Sequence, residues 1–430
     1  MTAQDVGDAH ARPRTGAGSG NSAEAGAADG GAGAVRAEPE SGVATADSSG
    51  RRRRISALLD SLRIALPGWV IGHLLVIAVS AHLDRHHPLA PLFEWDTHWY
   101  LMIATYGYDP VGGLVHFFPL TSATAGLIAL VTRIPVTYAL FGFCWAAALA
   151  YGAMLHRLVL LETGDRGAAR RAAWLIQLAP GGYALVMGYT EPFAGLLAVS
   201  YFFALRAVAI RGRAAVGAPR RHWPLWAAVV FGFFSGMARP TGIVLAFAGA
   251  VEGWRIARAD GWRLATTVKA AAAAVAPAAG LFAFLAYSKI NYGSWKLPFT
   301  QQTVKANRGG LVYDPLKSLH FWIHGGGRGN HGLQTGAMAV LLIGLGVLLI
   351  VVVARKLPFS YTAWLLPAFA LAITSQNFTS LPRYFGALFP LLMVVAMLAK
   401  RRWQEYAVYA VSAGLLLWTT HIVLSLWLIA

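Results

Sequence analysis

The stretch "FEWDTHWYLMIATYGYDP", Phe93 to Pro110, sets two carboxylates, Glu94 and Asp96, among tryptophans and tyrosines. Directly before it runs an apolar segment, about 64–82, long enough to cross about 30 Å of hydrocarbon as a helix. Runs of this kind recur along the whole 430-residue chain, which is 57% hydrophobic and only 13% charged. An ordinary soluble protein carries about 25% charged residues. Only helices and closed barrels satisfy their backbone in lipid, and these runs lack the period-two alternation of barrel strands. The chain therefore reads as an all-α polytopic membrane protein.

Its net charge of +17 comes in short basic clusters between apolar runs. That pattern records topology rather than nucleic-acid binding, because Lys and Arg in short loops stay cytoplasmic. The single cysteine, Cys144, excludes an internal disulfide. Residues 1–55 read as a disordered cytoplasmic tail, too polar for a signal peptide and ending in the anchor "RRRR". Residues 56–430 form the membrane domain. About eleven spans follow, near 64–82, 137–156, 172–188, 193–210, 224–238, 241–254, 270–288, 335–354, 360–375, 384–399 and 406–428. The fifth and sixth are short, so the break at Pro240 also reads as a kink in one longer element.

On this map Arg157, Arg166, Arg170, Arg171 and Arg206 mark the cytoplasmic side. The outer side holds two long segments, about 83–136 and 289–334, together with "YTEP", "RPTG" and "SQNFTSLPRYF". Its acidic residues are Asp84, Glu94, Asp96, Asp109, Glu191 and Asp314. An activated substrate used on that face must arrive in the lipid, since nucleotide sugars and ATP are inside.

Each motif has two readings. Trp95, Trp99 and Tyr100 suit an interfacial aromatic belt. Yet ionisable groups beside the bilayer are costly and tend to be functional, and a carboxylate pressed against tryptophans gains proton affinity, as a general base needs. Asp96, Tyr100 and Ile103 share one helical face. Glu191, after Thr190 and before Pro192, reads as a helix start or as a second carboxylate that orients an acceptor. Arg239 in "ARPTG" and Arg383 in "LPRYF" snorkel to the interface or bind phosphate, and Tyr384 anchors there or stacks on a lipid or sugar. Lys305 and Arg308 are weaker candidates. The outer histidines, His116 among them, lack metal-ligand spacing, and glycine-rich "HGGGRGN" lacks the P-loop Lys-Ser/Thr.

Taken in order, these pieces resemble the PIG-V family, the GPI mannosyltransferase 2 enzymes and their bacterial relatives. The family's WD, aromatic pair, IA-x-x-GY and FFP pattern corresponds to Trp95–Asp96, Trp99–Tyr100, Ile103–Ala104, Gly107–Tyr108 and Phe117–Pro119. "YTEPF", "ARPTG", "NYGSWKLPFTQQ" with Gln302, and "LPRYFGALFPL" resemble its later motifs. Ser294 stands where the family has an acidic residue, and 305–334 matches none of its motifs, so the acceptor is not fixed by the resemblance.

The resemblance implies a GT-C-type fold and an inverting mannosyltransferase. The donor would be polyprenyl-phosphate mannose, with no cofactor and no obligatory metal. The acceptor would be a glycolipid, wall polymer or secreted protein on the extracytoplasmic face; the low acidic count and the Ala, Arg and Gly richness of the composition fit a bacterial plasma membrane. Asp96 would be the base, with Glu94 and Glu191 as further acids. A non-catalytic scaffold subunit and a lipid or sugar transporter are the alternatives; the second predicts internal repeats and mid-membrane polar sites, which the sequence does not display.

Overall fold

The computed structural model describes residues 41–109, 113–214, 223–303, 314–324, 330–375 and 378–425. By contacts the chain divides into Met1–Arg51 and Arg52–Ala430, and the site lies wholly in the second unit. The tail expected over 1–55 falls on residues 1–40, outside the described residues, and on the first turns of the first helix.

The described residues form helices and turns, without a strand. In chain order the helices are α1 (Ser41–Leu83), α2 (Asp96–Tyr106), α3 (Pro119–Thr132), α4 (Val136–Thr163), α5 (Arg166–Leu178) and α6 (Tyr183–Val186). Next come α7 (Glu191–Ala214), α8 (Trp223–Ala238), α9 (Leu245–Ala259), α10 (Leu264–Tyr292), α11 (Leu297–Thr300) and α12 (Pro315–Ile323). Last are α13 (Asn330–Lys356), α14 (Phe359–Ile373), α15 (Leu381–Ala387), α16 (Phe389–Leu398) and α17 (Arg402–Ser425).

Among the described residues six helices are long and apolar enough to cross a membrane: Ile55–Leu83, α4, Glu191–Ile210, α10, Leu333–Lys356 and α17. A seventh is reached if α15 and α16, bent by 67°, make one broken span. This is a multi-pass helical membrane protein, but the expected count of eleven is not reproduced. The expected spans at 224–238, 241–254 and 360–375 are helices of only 16, 15 and 15 residues, below the roughly 20 that a straight crossing needs. The expected span at 172–188 is interrupted after Leu178, where "APGG" breaks the helix before α6. The expected outer segment 83–136 holds an apolar helix, α3, that exposes Leu127, Leu130 and Val131.

Small residues set how closely the helices meet. A Cβ added at Gly280 of α10 would lie 1.8 Å from the Phe233 carbonyl of α8, and one at Gly236 would lie 2.0 Å from the Pro277 carbonyl. No larger residue fits that contact, the close approach that helix packing in lipid favours. The core is filled by stacked rings from three helices: Phe202 on Tyr361 at 4.7 Å and Trp364 on Phe389 at 5.0 Å.

Arg206, expected to mark a basic loop, is instead buried in α7. Its Nε and Nη2 donate to both oxygens of Glu162 at 2.6 and 3.0 Å, and Nη1 donates to Glu252 at 3.0 Å. The Tyr361 hydroxyl and Arg255 complete the cluster, at 2.8 Å to Glu162 and 3.3 Å to Glu252. Every carboxylate oxygen there has a donor, so the buried charges are compensated.

Candidate functional site

The site is assembled at chain breaks rather than along any one helix. Trp95 adopts φ 58°, ψ −133°, a conformation that costs a non-glycine residue about 1–3 kcal/mol. The reversal ends one short turn at Glu94 and starts α2 at Asp96. Trp95 is also tied down, its indole Nε1 donating to the Val423 carbonyl of α17 at 3.2 Å.

Three further breaks bring in the other charges. The Thr190 hydroxyl accepts from Thr121 at 2.9 Å and donates to the Ala238 carbonyl at 3.4 Å. That cross-link holds the start of α7, and so Glu191, against the end of α8 and Arg239. Arg239 itself is extended backbone between α8 and the turn Pro240–Val244. The interruption after Leu178 serves Arg383: a Cβ at Gly181 would meet the Pro382 carbonyl at 2.2 Å and the Arg383 Cα at 2.7 Å. Glycine there lets the backbone of α15 approach closely enough to aim its arginine inward.

These ends surround one cavity of about 510 Å³. Asp96, Glu191, Trp95, Trp99, Tyr100, Arg239, Gln302, Arg383 and Tyr384 all line it. Glu94 does not; the turn at Trp95 separates it from Asp96. Lys305, Arg308 and most of "HGGGRGN" lie outside the described residues.

The charges form a linked row. Arg383 Nη1 donates to Asp96 Oδ2, and Arg383 Nε lies 3.7 Å from Glu191 Oε1. Arg239 Nη1 approaches the same Glu191 oxygen at 3.1 Å. That last contact is an ion pair without hydrogen-bond alignment: among the described residues neither Glu191 oxygen has a hydrogen-bond donor, although Glu191 is only 4% exposed. The Tyr384 ring faces both guanidinium groups, at 5.2 Å from Arg383 and 5.4 Å from Arg239, and the Tyr189 ring lies 5.3 Å from Arg383. Aromatic faces attract such cations without neutralising them. Two cations and two anions thus balance in the cavity, and an incoming anion can replace either carboxylate on its arginine.

The rest of the lining is apolar, with Trp95, Trp99, Phe117 and Phe118 among its aromatics and Ala194, Ala198, Ala368 and Ala372 with Leu371 and Leu388 among its aliphatic residues. Burial, then the neighbouring Asp96 carboxylate, push the Tyr100 phenol well above its usual range, so it keeps its proton. His116 also lines the cavity, and burial lowers its imidazole below the ordinary value of 6.5. The sequence placed His116 only among the outer histidines. The α14 wall, from Trp364 to Ala372, gave no signal because alanines and leucines there read as any span.

No protein family's sequence profile matches the chain. No curated protein matches it either. Among solved structures it is similar to the Archaeoglobus fulgidus oligosaccharyltransferase in complex with zinc and sulfate, at 14% identity and TM-score 0.45, over 84% of this chain and 52% of that one. The same organism's enzyme tethered to an acceptor peptide gives 14% and 0.46 over 84% and 55%. The archaeal oligosaccharyltransferase AglB from that organism, with an inhibitory peptide and a dolichol-phosphate, gives 14% and 0.44 over the same shares. The chain spans about half the length of these structures.

Proposed function

We propose that the chain is a GT-C-type membrane glycosyltransferase that moves mannose from polyprenyl-phosphate mannose to an acceptor hydroxyl on the extracytoplasmic face of the plasma membrane. The acceptor would be a glycolipid, polymer or protein. The observation that carries this reading is the row Asp96–Arg383–Glu191–Arg239 in one cavity whose lining also holds aromatic rings and small alanines. Its parts fit the three parts of such a donor: aromatic faces for the sugar, arginines for the phosphate, small apolar residues for the prenyl chain.

The geometry supports a cycle in which the donor phosphate draws Arg383 from Asp96, since guanidinium pairs with phosphate as readily as with carboxylate. The freed Asp96 removes the proton from the acceptor hydroxyl. That oxygen's electron pair forms the bond to the anomeric carbon, and the carbon–oxygen bond to phosphate breaks with its pair left on the phosphate. Arg383 and Arg239 stabilise the charge that develops there, and fixed charges aimed in this way usually lower such a barrier more than any other device. Attack opposite the leaving group inverts the centre, from β-linked donor to α-mannoside.

The test is mannose transfer from radiolabelled polyprenyl-phosphate mannose in membranes holding wild type or Asp96→Asn. Loss of a positioned base costs about 10²–10⁴-fold, and a drop of that size in a variant of normal folded yield is expected. Equal rates would remove Asp96 from the base role. No transfer by the wild type with any acceptor supplied would overturn the mannosyl reading.

A further inference from the structure

His116 sits between α2 and α3, outside the membrane-spanning helices, and lines the cavity. Its Nδ1 lies 3.2 Å from the Gly113 carbonyl. A carbonyl only accepts, so Nδ1 carries the hydrogen, and in the neutral ring the lone pair is left on Nε2. The loop that sets this tautomer is itself pinned, with the Gly113 amide donating to Asp109 Oδ1 at 2.7 Å and the Tyr108 hydroxyl to the Phe117 carbonyl at 2.5 Å. The ring packs on Phe117 at 4.3 Å, which in turn meets Tyr100 at 5.4 Å. Among the described residues Gly113 is the ring's one hydrogen-bond partner.

The charged and titratable groups that line the same cavity are Asp96 and Tyr100 of α2, Tyr183, Tyr189, Glu191, Arg239, Arg383 and Tyr384, and the Asp96 charge acts on the imidazole. Both carboxylates are held by arginines. Burial lowers the imidazole and keeps it neutral near pH 7, against the smaller opposing pulls of the Gly113 carbonyl and then Asp96. His116 is thus a neutral proton acceptor whose Nε2 has no hydrogen-bond partner among the described residues, in a cavity where Asp96 is paired with Arg383.

We propose that His116 is a further catalytic residue, the group that receives from Asp96 the proton taken from the acceptor; this rests on the glycosyl-transfer reading above. Once the lipid phosphate departs, Arg383 returns to Asp96, and an adjacent guanidinium favours the ionised carboxylate. The O–H bond on Asp96 then breaks, its pair stays on the carboxylate, and the proton moves to His116 Nε2, directly or through cavity water. The imidazolium releases it to bulk water, and no electron is gained or lost. Without this step Asp96 stays protonated and the next acceptor finds no base.

The experiment uses the full chain in proteoliposomes, with polyprenyl-phosphate mannose as donor and octyl α-mannoside as acceptor probe. His116→Asn keeps an amide nitrogen near the Gly113 carbonyl and removes Nε2. The first turnover is expected to match wild type, while the steady-state rate falls about 10²-fold, the low end for one proton-transfer group. Added imidazole restores that rate. The wild-type rate falls as pH drops through the lowered His116 value, because an imidazolium cannot accept a proton, and the variant lacks this acid limb. An unchanged steady-state rate overturns the proposal. So does a loss that imidazole does not rescue and that leaves the acid limb in place, since a packing role would give that. Absence of transfer by wild type overturns the glycosyl-transfer reading and this one with it.

Discussion

Helix α7 carries an arginine–carboxylate cluster at each of two levels, and they are built to opposite ends. Glu191 opens the helix beside Arg239 and Arg383; Arg206 lies about 22 Å further along it, at 1.5 Å per residue, beside Glu162 and Glu252. The Arg206 cluster is saturated: both oxygens of both carboxylates accept hydrogen bonds. In the Glu191 row both Glu191 oxygens lack a donor among the described residues, Arg383 Nε is likewise without an acceptor, and the partners line a cavity. Equal chemistry serves different ends. A filled cluster has no capacity left for a ligand and fixes helices; an unfilled one keeps its capacity for an anion.

That contrast breaks most visibly at Arg206. Arg206→Ala leaves buried Glu162 without a cation and Glu252 with Arg255 alone, which costs about 3–5 kcal/mol. Thermal unfolding in lipid nanodiscs should show a large loss of stability, with the specific activity of the surviving folded protein near wild type. Equal loss of specific activity would mean that the two clusters are not separable. The next effect is smaller and of another kind. Arg383→Lys keeps the charge but not the fork that reaches Asp96 and Glu191 together. One lost charge-assisted hydrogen bond is worth about 1.5–3 kcal/mol, so the donor KM should rise about 10–100-fold while unfolding is little changed. A stability loss like that of Arg206→Ala would place Arg383 with the structural cluster.

Much of this was legible in the sequence, for a physical reason. Asp96, Glu191, Arg239 and Arg383 each sit where an apolar run ends, so a costly charge stands out against its neighbours. Their pairing was not legible, because it is set by close backbone approach at Gly181 and by the Thr121–Thr190–Ala238 link, contacts between distant segments. Arg206 misled for the converse reason. It stands at the head of a basic stretch and reads as a topology marker, while its partners Glu162 and Glu252 lie on other helices. The broken segment after Leu178 was hidden by the apolar residues on both sides of "APGG", which keep its average hydropathy that of a span. Glu94 reads in sequence as a further acid two residues from Asp96, and the positive φ at Trp95 turns it away from the cavity that Asp96 lines.

The central claim is that Asp96 and a lipid phosphate compete for Arg383. The most direct measurement is binding of polyprenyl phosphate, without sugar, to wild type and Asp96→Asn in nanodiscs. Removing the competing charge should tighten binding about tenfold, or about 1.4 kcal/mol. Equal or weaker binding by Asp96→Asn would contradict the claim, leaving the Asp96–Arg383 pair a structural contact like the one at Arg206.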